Sequence, residues 1–233
     1  ANIANIYNNG SPQTSYTVTP QNWWKLNATS VYTPSAPNYT TALDFVASES
    51  DYIDCGDSND FSFGDGTTDS PFSLSAWINP SDNARFRTVF KYSTTLKEYT
   101  FGTAGGGALQ SQLNSSSTVY IGRNGQTVIN ENVWSHVVMT YDGSGDKSNI
   151  NIYLNGILDN GTTFASSGTY TAMNNTSEPL ELGRYSGGNY ANGSISNAAI
   201  FNSALTASQV STLFNFGTPE TNISFSPQAW WKL

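Results

Sequence analysis

Two stretches of this chain are close copies of each other, and their placement limits what the rest can be. Ile6 to Leu26 reads IYNNGSPQTSYTVTPQNWWKL, and Leu213 to Leu233 reads LFNFGTPETNISFSPQAWWKL. They align without a gap 207 residues apart, with 10 of 21 positions identical, including Gly10/Gly217, Pro12/Pro219, Pro20/Pro227 and the whole Trp-Trp-Lys-Leu run. An offset nearly as long as the chain does not suit a two-fold symmetry inside one fold. It suits a tandem array of one large unit. Residues 1–19 then read as the tail and linker of a preceding repeat, 20–217 as one module, and 218–233 as the linker and first strand of the next. Trp23, Trp24, Trp230 and Trp231 become the candidate contacts between neighbouring copies. Within each Trp-Trp pair one ring should face inward and one outward, because strand side chains alternate. A lone Trp230–Leu233 strand would be an exposed apolar edge, so it is expected to be paired, on this module or on a neighbouring molecule.

Between the copies, strand signals dominate. Short runs rich in aromatic and β-branched residues, bounded by turn residues, predict strands at 23–27, 42–45, 52–55, 72–79, 88–92, 99–102, 108–113, 134–141 and 149–154. The run 72–78 alternates in places, as a half-buried strand should. Gly105–Gly107 predicts one hairpin turn and Asn155-Gly156 another, of type I′. One helix is predicted over 207–214, with Thr206 as N-cap, Gln209 completing a capping box and Gly217 just past the end. The pattern is all-β: an antiparallel two-sheet jelly-roll sandwich with one short C-terminal helix.

Composition removes several functions. The formal charge is −8, and no Lys/Arg cluster exists to neutralise a row of phosphates, which argues against nucleic acid as a partner. No run of about 18 apolar residues suggests membrane insertion. A single cysteine, Cys55, permits no intrachain disulfide, and a single histidine, His136, permits no two-His metal centre. His136 and Cys55 both read as packed strand residues rather than as base and nucleophile, the imidazole neutral and bonded to backbone. A glycosidase needs two carboxylates across a cleft. The nearest approach is Glu178-Pro-Leu-Glu181, without an intervening Asp, so the chain reads as no enzyme.

Several stretches together resemble one family in order: WWKLN at 23–27, ALDFVASESDYIDCGD at 42–57, PFSLSAWINP at 71–80, WSHVVMTYDG at 134–143, IYLNGIL at 152–158 and LELGRYSGGNYANGSISNAAIFNSALTASQV at 180–210. This is the pattern of the laminin-G-like, concanavalin A-like lectin and glucanase superfamily, in its pentraxin-type branch. The spacer style also looks like repeated modules of marine phages and bacteria. The resemblance implies two curved antiparallel sheets whose concave face or loop rim binds glycans or proteins.

Two groups of residues are the candidate sites. Asp57, Asp60, Asp65 and Asp69, with Glu98 arriving from a neighbouring strand, would suit calcium, which takes six to eight oxygen ligands. The alternative is a set of solvated turns in which Asp side chains cap their own backbone. Tyr185, Asn189, Tyr190 and Asn192, in the Gly-rich loop 183–193, are the candidate ligand contacts, with an ordinary hairpin loop as the alternative. Trp77 and Trp134 read as core. Together these predict a non-catalytic module repeated along an extracellular fibre or a virion or cell-surface appendage, whose partners are a glycan or surface protein and neighbouring copies of itself. A purely structural filament or lattice subunit, and a carbohydrate-binding accessory of a secreted enzyme, are the alternatives.

Overall fold

A computed structural model describes residues 31–32, 42–185 and 188–232. Trp23, Trp24, the predicted strand 23–27 and the domain boundary at residue 20 lie outside the described residues. Two antiparallel sheets face each other. The first contains, in spatial order, β1 (Val31–Tyr32), β2 (Ala42–Phe45), β16 (Gly193–Phe201), β4 (Phe72–Pro80), β9 (Ser135–Tyr141), β10 (Ile150–Leu154) and β11 (Ile157–Leu158), with β17 (Ala229–Trp231) also paired to β16. The second contains β12 (Asn160–Ala165), β8 (Tyr120–Val128), β7 (Ala108–Asn114), β6 (Lys97–Thr103), β5 (Arg87–Tyr92), β13 (Glu181–Leu182) and β3 (Ile53–Asp54). A small ribbon of β14 (Arg184–Tyr185) and β15 (Asn189–Tyr190) stands at the rim.

The core lies between the sheets and is filled from alternate positions of each. Phe72, Leu74, Ala76 and Ile78 of β4 and Val137, Met139 and Tyr141 of β9 meet Val89, Tyr99, Phe101, Leu109, Leu113 and Ile121 from the opposite sheet. Phe72 links the layers, stacked on Phe63 at 4.4 Å between ring centroids and tilted against Tyr99 at 5.2 Å. Such ring pairs add about 0.5–1.5 kcal/mol each beyond their buried area.

The outer faces of the two sheets differ. On the first, Ser73, Ser75 and Trp77 of β4 and His136, Val138 and Thr140 of β9 are buried too, so strand 72–80 is not half-buried as its alternation predicts. Its cover is helix α1 (Ala207–Phe214) together with the segment 218–228. Val210 and Leu213 of the helix pack on Val138, Tyr153, Ala199 and Phe201, and Ile223, Phe225 and Trp230 extend the cluster. The Ser73 hydroxyl donates to Ser203 O (2.8 Å) and accepts from Leu205 N (2.9 Å), anchoring the chain before the helix.

Helix α1 starts as predicted, with Thr206 and Gln209 forming the capping box. Its exit differs: Asn215 takes the left-handed conformation (φ 43°), two residues ahead of Gly217. Asn tolerates that region because its short amide bonds locally. Asn155 (φ 50°) and Gly156 (φ 77°) form the predicted two-residue turn between β10 and β11, each at the positive φ that a type I′ turn demands. Strands β8 and β12 were not among the predicted strands; pairing of β8 with β7, and of β12 with β8, holds them extended.

Candidate functional site

The outer face of the second sheet is left open by the fold. Here the positions that alternate with the core carry Phe90 and Tyr92 on β5, Thr100 on β6, Gln110 and Gln112 on β7, and Tyr120 and Asn124 on β8. Tyr185 of β14 closes onto this face. Its ring lies 5.0 Å from Tyr92 and 5.8 Å from Phe90, the latter edge-on. The Tyr92 and Tyr185 hydroxyls lie close to each other, and the Gln112 amide lies beside Tyr92. Burial raises both phenols above their ordinary range, so both stay protonated and act as neutral donors and acceptors. The Arg87 guanidinium sits 5.0 Å over Tyr185 and 5.5 Å over Phe90, and the Lys97 ammonium 5.0 Å over Tyr92.

Beside the rings runs a row of amides. Gln110 donates to Asn124 Oδ1 (2.8 Å), Gln112 to Asn114 Oδ1 (2.8 Å), and Asn124 to Thr162 Oγ1 (3.3 Å), crossing β7, β8 and β12. Each amide offers two donors and an acceptor, and each ring an apolar face. Amides and hydroxyls beside the half-buried Tyr185 ring, with Arg87 and Lys97 near at hand, suit a polyhydroxylated ligand that is apolar on one side.

The four predicted ligand contacts do not form one cluster. Tyr185 joins the open face. Tyr190 instead packs beside Tyr52 at 6.2 Å, where the Arg184 guanidinium lies 3.6 Å over the Tyr52 ring and pairs with Glu181. Asn189 pairs with Tyr185 across the β14–β15 ribbon, and the Asn192 carbonyl accepts from Ser81 N and Asp82 N in a turn. Tyr92, Gln110, Gln112 and Arg87 were not singled out in the sequence. Their one signal was a run of polar residues alternating with core residues on neighbouring strands.

The predicted calcium ligands are likewise not gathered; among the described residues no three His, Cys, Asp or Glu side chains stand where they would share an ion. Asp57 and Glu98 do converge, but on an ammonium. Lys91, with no exposed side-chain surface, donates to Asp57 Oδ1 (2.9 Å), Glu98 Oε1 (2.8 Å), Thr176 O (3.1 Å) and Glu178 O (2.7 Å). Two carboxylates and two carbonyls thus surround a lysine nitrogen. Asp65 caps its own turn, accepting from Thr67 and Thr68, and the Thr67 hydroxyl with both amides holds its carboxyl well below the usual range. Asp69 accepts from Tyr141 Oη (2.7 Å), Tyr170 Oη (2.8 Å) and Met173 N (2.7 Å). Asp60 is exposed in a short turn capped by Ser58.

His136 is buried, and its Nε2 lies 3.0 Å from Ser75 Oγ, so its partner is a hydroxyl and not the expected backbone group. Nδ1 has no hydrogen-bond partner among the described residues, leaving no carboxylate to orient the ring. Desolvation pulls its pKa from 6.5 down to about 3. Burial likewise pushes the Cys55 thiol up, so neither group is poised for proton transfer or attack at neutral pH.

The Laminin_G_3 family, described as the concanavalin A-like lectin/glucanases superfamily, matches residues 47–211. The chain belongs to that superfamily. No curated protein sequence matches it. Solved structures share the fold at low identity. The binding domain of Paraclostridial Mosquitocidal Protein 1 is 17% identical with a TM-score of 0.59, covering 83% of this chain and 47% of its own. A putative carbohydrate binding protein from Bacteroides ovatus is 18% identical with a TM-score of 0.53, over 82% and 50%. Domain 4 of AbnA, an extracellular arabinanase of Geobacillus stearothermophilus solved with arabinotriose, is 19% identical with a TM-score of 0.51, over 74% and 76%. The chain spans about half the length of the first two. Among the described residues no helix is long and apolar enough to cross a membrane.

Proposed function

We propose that this chain is a non-catalytic glycan-binding module, acting outside the cell as a repeated unit of a fibre or a virion or cell-surface appendage. One observation carries the reading. The outer face of the second sheet carries the half-buried Tyr185 ring, packed on a nearly buried Tyr92, beside the partly exposed amides of Gln110, Gln112 and Asn124. A hexose presents C–H groups on one side and hydroxyls around its rim, and this face complements both. Two fold relatives, a putative carbohydrate binding protein and a domain solved with arabinotriose, support the class of ligand.

The test is a glycan array followed by titration of the best ligand. Replacing Tyr92 and Tyr185 together by Ala removes two aromatic contacts, worth roughly 2 kcal/mol or about thirtyfold in Kd. Because Tyr92 is 9% exposed the double variant should also lose stability, so Tyr185→Ala alone, at the half-buried rim position, is the control whose Tm should fall little. Binding that survives this double substitution, or an array on which the wild-type chain is silent, refutes the proposal.

A further inference from the structure

The edge of β16 is a strand-accepting slot. Its first residues, Gly193 to Ile195, pair with β2, and its last, Ala198 to Ile200, pair with β17 on the same side. Register sets Ala198 opposite Trp231, Ala199 opposite Trp230 and Ile200 opposite Ala229, and Gln228 N donates to Ile200 O at 2.7 Å. The two indoles take opposite faces, as strand alternation requires. Trp231 turns inward against the core, its ring 6.0 Å from Phe61. Trp230 turns outward into a cleft lined by Trp77, His136, Ala199 and Leu213, and its Nε1 donates to Asn197 Oδ1 at 3.2 Å. Ile223 and Phe225 lie on the same outer cluster, Phe225 at 5.6 Å from Phe201.

Every side chain the slot reads has a counterpart near the start of the chain. Pro227, Gln228, Trp230, Trp231, Lys232 and Leu233 match Pro20, Gln21, Trp23, Trp24, Lys25 and Leu26 in identity, and Ile223 and Phe225 match the apolar Tyr16 and Val18. Only Ala229, matched by Asn22, differs within the seven-residue run. One edge therefore faces two segments with the same donors and the same two indoles. A strand edge recognises backbone first, and pockets for alternate side chains give the specificity.

We propose that the β16 edge accepts the Pro20–Leu26 segment of a second copy of this chain, in exchange with the tethered β17, so that copies join head to tail. The competition is uneven. A segment held by a short linker acts at an effective concentration of about a millimolar, so at roughly 100 µM protein the second copy fills about one slot in ten. This inference is independent of the glycan face, which lies on the other sheet.

The test places a photoreactive benzoylphenylalanine at position 22 of the full chain, since its counterpart Ala229 sits opposite Ile200. Irradiation should give a cross-linked dimer whose junction peptide contains residues 196–201. The yield should rise about tenfold when Trp230 and Trp231 are replaced by Ala, which weakens the tethered occupant. It should vanish when Trp23 and Trp24 are replaced instead. Cross-links confined to the monomer would show that the segment completes its own module and overturn the proposal; so would dimers cross-linked elsewhere. If the W230A/W231A chain does not fold, the wild-type background and its W23A/W24A control still decide, because the junction peptide is read in both.

Discussion

Lys91→Met is the perturbation that best probes how this fold handles buried charge. The Lys91 and Glu98 side chains have no exposed surface and meet at 2.8 Å, and the ammonium holds three further oxygens. Methionine keeps the length of the side chain and removes the charge. Glu98 then loses its cation and keeps only Thr176, which donates from its amide (2.7 Å) and hydroxyl (2.9 Å). Breaking a buried pair from one side costs about 3–5 kcal/mol. At roughly 2–4 °C per kcal/mol for a chain of this size, Tm should fall by about 6–20 °C. Glu98→Gln alone should cost less, because Lys91 keeps Asp57 and both carbonyls. The double variant should recover about 2 kcal/mol of the summed loss.

The pH dependence follows from Glu98. Burial raises its carboxyl above the ordinary 4.5, with Lys91 opposing. A carboxyl raised in the folded state contributes stability that is present below its unfolded pKa and lost as pH rises through the folded one. Removing Lys91 lifts the folded value further. The K91M penalty should therefore be largest in alkali and shrink as the pH falls toward about 4. Urea unfolding of the two single variants and the double variant at several pH values measures both effects. Additivity within about 0.5 kcal/mol, or a K91M penalty that does not change with pH, would refute the buried-pair account.

The remaining predictions rest on other groups. His136 is held neutral, with its pKa drawn to about 3, so it contributes stability above 6.5 that is lost as pH falls toward 3, at about 1.4 kcal/mol per unit; urea unfolding of His136→Asn should show a flatter acid limb than the wild type. Asp69 ties the 63–70 loop to Tyr141, Tyr170 and Met173 through three bonds, and Asp69→Ala should lower stability by about 2–4 kcal/mol in the same assay. With the Lys91 ammonium already seated between Asp57 and Glu98, calcium or EDTA should shift Tm by no more than about 1 °C; a larger stabilisation by calcium would mean that these carboxylates rearrange around it.

Much of the sandwich was legible because its strands carry their own signals. Phe72–Pro80 and Ser135–Tyr141 are dense in apolar residues, and Thr206 with Gln209 announces the helix. The site was less legible, for a physical reason. Lysine in a strand ordinarily reads as solvated, and nothing local in Val-Phe-Lys-Tyr signals that loops 57–61 and 174–178 will enclose Lys91. Asp57 and Glu98 were expected together around a calcium ion, and in the structure both pair with Lys91. An ammonium and a hard cation make the same demand on carboxylates, and only the third dimension shows which one arrives. Tyr92, Gln110 and Gln112 share a face through pairing across β5, β6 and β7, which no single segment contains.

The two outer faces diverge because of what alternates with the core on each sheet. On the first sheet those positions mix small Ser73, Ser75, Thr140 and Ala199 with apolar Trp77, Val138, Tyr153 and Phe201, which give a helix and an indole both room and apolar surface to cover. On the second they include Gln110, Gln112, Tyr120 and Asn124, polar side chains of which Gln110 bonds Asn124 and Gln112 bonds Asn114, leaving less apolar surface for a covering element to bury. An apolar face invites cover, and a row of hydrogen-bonded amides resists it. The same alternation that closes the first face around residues 218–231 keeps the second open. Assembly through β16 and ligand capture through the second sheet would therefore not compete for surface. Copies joined along one face would each keep the other free, which is the arrangement that raises effective concentration for a weakly held repeating ligand.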